Sequence, residues 1–130
     1  MTETQTRAAT QEDVVAVLRL IEGALLEITP KAVREAIESE TDVVCVALRN
    51  DRIIGTAVFR DTPAGGHVVA IAVHPQRRGN GVGRSLIGYG ADRFQTLSAE
   101  FAEKVTPFYE RLGFTIEPIE GSDRYQGRLS

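Results

Sequence analysis

Between His67 and Phe94 an unbroken apolar stretch, His67 to Val73, meets Pro75, then three alternating glycines, Gly79, Gly81 and Gly83, and then apolar residues at helical spacing. No other stretch constrains the fold as tightly. A run that is apolar on both faces is expected to be a central strand. Pro75 stops it, and Val82, Leu86, Ile87, Gly90 and Phe94 mark the buried side of a helix that begins around Gly81. Gly88 and Gly90 are expected to let this helix lie close to the sheet.

Other elements follow from the same signals. Arg7 to Ala9 is a short strand, Thr10 caps a helix with Asp13 in a capping-box position, and Val14, Leu18, Ile21 and Leu25 recur along it. Thr29 before Pro30 opens a shorter helix carrying Val33 and Ile37. Val43 to Leu48 and Ile53 to Phe59 form a hairpin across Asn50 and Asp51, and Thr62 to Gly66 is a turn. Leu97 to Phe101 is a further strand. Thr106 and Pro107 repeat the cap-then-proline signature for a helix over Phe108 to Leu112, ended by Gly113, and Phe114 to Ile116 and Tyr125 to Leu129 close the chain as strands. The order is that of an α+β fold with a mixed, mostly antiparallel sheet of six or seven strands flanked by four helices.

A chain of 130 residues has room for one domain, 1–130. With 42% hydrophobic and 25% charged residues it has the balance of a globular protein. A net charge of −3 argues against a general nucleic-acid binder, which needs a basic surface. Met1 to Gln5 lack an apolar leader core, and no stretch approaches the ~18 apolar residues of a membrane span. Cys45, the only cysteine, excludes an internal disulfide and a cysteine-rich zinc site; a reducing, cytoplasmic setting is expected, and no metal is invoked.

Arg77, Arg78 and Arg84 concentrate positive charge in this mildly acidic chain, on a turn that leads into a helix N-terminus. Bare amides and the helix dipole favour an anion there. Gly79, Gly81 and Gly83 let the backbone curl around a diphosphate, and the arginines can add charge-assisted hydrogen bonds. A Walker A loop fails, because counting back from Gly83, Arg84 and Ser85 finds Arg78 where the first glycine belongs, and lysine is missing. A Rossmann fingerprint fails as well, its sixth position falling on Arg84 or Leu86.

The stretch Ile71, Ala72, Val73, His74, Pro75, Gln76, Arg77, Arg78, Gly79, Asn80, Gly81, Val82, Gly83, Arg84 resembles the acetyl-CoA motif of the GNAT N-acetyltransferases, written Q/R-x-x-G-x-G/A after a strand ending L-x-V-x-P. Gly55 resembles the family's I-V-G glycine, and Phe108 to Phe114 resembles its F-Y-x-x-L-G-F segment. One departure is that Ala99 to Val105 lacks the asparagine that many members carry before the aromatic pair.

The resemblance implies acetyl transfer from acetyl-CoA to a primary amine of a small molecule or peptide. It further implies that backbone groups of Ile71, Ala72 and Val73 hold the pantetheine arm, with Gln76 through Arg84 on the pyrophosphate. Tyr109 matches the family's frequent general acid, a phenol that stays protonated at neutral pH. His67, Glu100 and Glu103 are the candidate bases, and water is an alternative. His74 reads as structural and Cys45 as a buried thiol. Acidic residues between 22 and 42, namely Glu22, Glu27, Glu35, Glu38, Glu40 and Asp42, outnumber Lys31 and Arg34 and are expected to form a solvated helix face. Glu117, Glu120 and Asp123 carry the same expectation. Homodimerisation is frequent in the family. A non-catalytic acyl-CoA sensor and a nucleotide hydrolase are the competing readings.

Overall fold

The computed structural model describes residues 3–23 and 28–130. Leu25 and Glu27 lie outside the described residues. Seven strands form one sheet: β1 (Gln5–Ala8), β2 (Val43–Arg49), β3 (Arg52–Thr62), β4 (Gly65–Val73), β5 (Leu97–Ala102), β6 (Thr115–Pro118) and β7 (Arg124–Leu129), in the spatial order β1-β2-β3-β4-β5-β7-β6. Every pairing is antiparallel except β4 with β5. The helices are α1 (Val14–Gly23), α2 (Pro30–Glu38), α3 (Val82–Ala91) and α4 (Thr106–Arg111). This is the expected α+β architecture. No described helix is long and apolar enough to cross a membrane.

Local chemistry accounts for the elements. Asn50 and Asp51 hold φ of 54° and 63°, the left-handed pair that a two-residue hairpin needs between twisted strands. Thr29 Oγ1 accepts the Ala32 amide at 3.0 Å, and Pro30 starts α2. Asp13, 7% exposed, accepts from Arg7 at 2.7 Å and from the Thr10 amide at 2.8 Å. That carboxylate therefore fixes β1 to the single 3-10 turn (Gln11–Asp13) that leads into α1.

Strand alternation sends side chains to two cores. On one face Val82 and Leu86 of α3 and Tyr109 of α4 pack with Phe59, Phe101 and Phe114. On the other, Val17 and Ile21 of α1 and Val33 of α2 pack with Val46, Val58 and Ala70 of the sheet. A Cβ on Gly90 would stand 2.5 Å from the Phe59 ring, so α3 sits as close to the sheet as a bare backbone allows.

Several expectations need correction. Gly88 does not help α3 approach the sheet, since its Cβ position meets nothing within 4 Å. Phe94 lies beyond α3 instead of within it. The turn before β4 shrinks to Pro63 and Ala64, because Thr62 pairs with Gly65 and Asp61 with Gly66 as strand. Thr106 is not the cap of α4: a 3-10 turn over Glu103–Val105 makes Val105 the cap residue, and the Thr106 hydroxyl is buried without a partner. At the other end Gly113, with φ 93°, stops α4 as expected, while Phe114 N donates to Tyr109 O at 3.1 Å and Gly113 N to Glu110 O at 3.0 Å.

Candidate active site

The turn between β4 and α3 is built by three local bonds. His74 N donates to Ile54 O at 2.8 Å and closes β4 against β3. The His74 Nδ1 accepts the Gln76 amide at 3.2 Å, and Arg77 N donates to His74 O at 2.8 Å, winding Pro75–Arg77 into one 3-10 turn. His74 is thus structural. The chain then passes through Gly79 and Gly81 at φ 84° and 80°, where a side chain would be strained. A Cβ at either would meet nothing within 4 Å, so the turn is open on that side. Gly81 is the N-cap of α3 and brings no side-chain cap, which leaves the first-turn amides of α3 available to a ligand.

The remaining residues of the motif divide. Gly83 is tightly packed instead of open: its Cβ position lies 2.7 Å from the Phe108 ring, so its bareness lets α3 pack on α4. Arg84 Nη2 donates to Arg111 O at 2.9 Å, at the C-terminal end of α4. Arg78 Nε turns back to Val73 O at 3.4 Å. It lines a cleft of about 440 Å³ with Arg19, Leu20, Ile53 and His74. Gln76 and Asn80 are exposed and Arg77 is half-buried.

Beyond this turn lies a seam in the sheet. β4 and β5 pair only at Gly66↔Leu97 and His67↔Ser98; past that point the ladder stops, and Ile71, Ala72 and Val73 run along an edge of β4 that β5 has left. On its other edge β4 carries a bulge, since Val58 pairs with Ala70 and Phe59 with Val68, leaving Val69 over. Ile71 and Val73 pack against the first core, which includes Tyr109 and Phe108 of α4, whereas His67 lines a cleft with residues of β5, β6 and β7.

Tyr109 is 5% exposed, stacked on Phe101 with centroids 4.3 Å apart, and meets the edges of Phe108 at 5.0 Å and Phe114 at 5.1 Å. Burial alone pushes its phenol up to about 12. His67 is half-buried, and its Nδ1 lies 2.9 Å from Ser98 Oγ. Burial and then Arg60 lower its pKa, against the pull of Glu100. His67, Ser98, Glu100, Glu117, Gln126 and Arg128 line a cleft of about 760 Å³ over β5, β7 and β6, outside the part of the sheet that α1 and α2 cover.

Of the three candidate bases, His67 and Glu100 reach this cleft, and Glu100 is tied to Arg124 at 3.1 Å. Glu103 sits on the 3-10 turn after β5, exposed and not among the lining residues. Cys45 is fully buried, its thiol pushed up to about 12 by burial. Of the acidic residues around α2, Glu35 pairs with Lys31 at 3.6 Å on one exposed helix face. Among the described residues no group of three His, Cys, Asp or Glu side chains could hold a metal.

Sequence reasoning missed Ser98, the Val69 bulge and the seam. Alternation of Leu97, Ala99 and Phe101 inward would have placed Ser98 and Glu100 on the opposite face, but nothing local to the chain says which strand lies beside them.

The family model for the acetyltransferase (GNAT) domain matches residues 40–116. No curated protein matches the chain. Among solved structures, a GNAT-family protein from Desulfovibrio desulfuricans is 26% identical, with a TM-score of 0.76 over 98% of this chain and 99% of that one. YncA from Salmonella typhimurium, solved with its cofactor acetyl-CoA, is 18% identical with a TM-score of 0.78 over 98% and 94%. PaiA N-acetyltransferase from Thermoplasma acidophilum, in complex with coenzyme A, is 11% identical with a TM-score of 0.83 over 98% and 99%. The last two are likenesses of fold.

Proposed function

Because the chain belongs to the GNAT acetyltransferase family, we propose that residues 1–130 act as one catalytic domain, moving the acetyl group of acetyl-CoA to a primary amine of a small molecule or peptide in the cytoplasm. The observation that supports this most is an open glycine turn and an uncapped helix N-terminus at one end of the β4 seam, with Tyr109 in the core that Ile71 and Val73 pack against and His67 in the cleft over β5. The turn amides and Arg77 take the diphosphate. From Val73 back to His67 is six residues, about 20 Å of strand, a length comparable to an extended pantetheine arm. Free backbone groups of Ile71 to Val73 hold that arm, and the thioester arrives where β4 and β5 rejoin.

The acceptor enters from the cleft that His67 lines. Its nitrogen gives a proton to His67, whose lowered pKa keeps the ring neutral at pH 7. It then attacks the thioester carbon, and the departing sulfur meets the Tyr109 hydroxyl. A phenol at about 12 is a weaker acid than a thiol near ~8.5, so Tyr109 first supplies a hydrogen bond to the developing thiolate and gives up its proton late.

A thiol-release assay with acetyl-CoA across polyamines, amino acids, aminoglycosides and N-terminal peptides tests the reading. Tyr109→Phe keeps the ring packing, so it is expected to leave CoA affinity intact and slow transfer by about 10²-fold. Tight CoA binding with no thiol release from the unaltered chain, whatever the acceptor, would make it an acyl-CoA sensor instead.

A further inference from the structure

His67 and Ser98 are the last residues that join β4 to β5 before the strands part. Their side chains meet at 2.9 Å between Nδ1 and Oγ. The pair belongs to a lateral row across the sheet, Arg60 on β3, His67, Ser98, Arg128 on β7 and Thr115 on β6, with Glu100 two residues along β5. Arg60, Arg128 and Glu100 are the charged groups that face it. Because the Ser98 contact occupies Nδ1, only Nε2 remains to reach into the cleft that both residues line. Among the described residues no other donor reaches Ser98 Oγ, so its lone pairs are free to accept.

We propose that Ser98 is a positioning residue: its hydroxyl oxygen accepts the Nδ1–H of His67, fixes the ring at the closed end of the seam and leaves the Nε2 lone pair facing the acceptor amine. The inference rests on His67 as the base of the acetyl transfer. The amine nitrogen loses a proton to Nε2 and forms a bond to the acetyl carbon. The C–S bond breaks, and sulfur takes the Tyr109 proton. The imidazolium then returns its proton to water and the phenolate regains one from water. Ser98 accepts from Nδ1 in both charge states of the ring, and the bond strengthens when the ring becomes cationic, at the moment the base is needed.

The molecule contains its own comparison. His74 Nδ1 accepts the Gln76 amide, so neutral His74 carries its proton on Nε2, opposite to the arrangement assigned to His67. Nitrogen NMR of the two imidazole rings in the labelled full chain at pH 8 is expected to show opposite tautomers, with His74→Gln supplying the assignment. Ser98→Ala is expected to lower kcat/KM for the acceptor roughly tenfold, with KM for acetyl-CoA within about twofold, and Ser98→Thr, which keeps a hydroxyl, to recover most of that loss. A proton on Nε2 of His67 in the unaltered chain would overturn the proposal, even if Ser98→Ala proved unstable. So would undiminished turnover in a folded Ser98→Ala. A chain with opposite tautomers and no turnover on any acceptor would refute the proposed transfer reaction while leaving the Ser98–His67 geometry standing.

Discussion

Replacing Gly90 and Gly88 separately by alanine gives opposite changes in stability if α3 sits on the sheet as described. Alanine in a helix interior is favoured over glycine by about 1 kcal/mol, and both residues lie within Val82–Ala91. At Gly88 nothing stands within 4 Å of the new methyl, so the gain is kept. At Gly90 the methyl would lie 2.5 Å from both Cε1 and Cζ of Phe59. Carbon atoms prefer roughly 3.5–4.0 Å, so the overlap exceeds an ångström at two atoms of a ring that is 0% exposed and held beside Phe94 at 6.3 Å. Overpacking of this kind costs about 3 kcal/mol at the upper end of its usual range, leaving a net loss of about 2 kcal/mol after the helix gain. For a chain of this size each kcal/mol moves the midpoint by about 4 °C. Gly90→Ala should therefore melt about 8 °C lower and Gly88→Ala about 3–4 °C higher, measured by circular dichroism at one scan rate. Shifts of the same sign in both variants would refute the close approach of α3 at Gly90.

Two further predictions follow from buried groups. The hydrogen bond from Arg7, with help from the Thr10 amide, holds the Asp13 carboxyl below its ordinary 3.8. The unfolded chain binds the proton more readily, so Asp13 stabilises the fold fully above about pH 5 and loses that contribution as pH falls through the lowered folded value. Asp13→Asn should cost about 1–2 kcal/mol at pH 7 by urea denaturation, and the gap from the unaltered chain should narrow as the buffer is acidified. Cys45, fully buried with its thiol pushed up to about 12, should react with a disulfide reagent only as fast as the chain opens; rapid labelling of native protein would contradict its placement.

The pattern of the chain carried the strands and helices because burial alternates with known periods. The hairpin at Asn50 and Asp51 and the proline-started α2 needed only local backbone preferences. The Thr106–Pro107 pair carries the same signature as Thr29–Pro30, yet the preceding Glu103–Val105 turn draws the helix start back by one residue. Gly88 was separable from Gly90 in principle. Residues two apart differ by about 200° around a helix, and the stripe of Val82, Leu86 and Ile87 contains Gly90 and not Gly88. Pairing between distant strands leaves no such trace, which is why the seam beside Ile71 to Val73, the bulge at Val69 and the Ser98 contact with His67 appear only in three dimensions. The commitments of Gly83 to Phe108 and Arg84 to Arg111 were hidden for the same reason, since a phosphate-facing and a helix-facing residue of one motif look alike in a sequence.

The most direct measurement is an amide NMR titration of the labelled chain with acetyl-CoA and, in parallel, with pantetheine, which lacks the diphosphate. Acetyl-CoA should move the amides of Gly79, Gly81, Val82 and Gly83 together with those of Ile71 to Val73, while pantetheine should move only the latter group. Saturable binding of acetyl-CoA that leaves the Gly79 to Gly83 amides at their free positions would contradict the account.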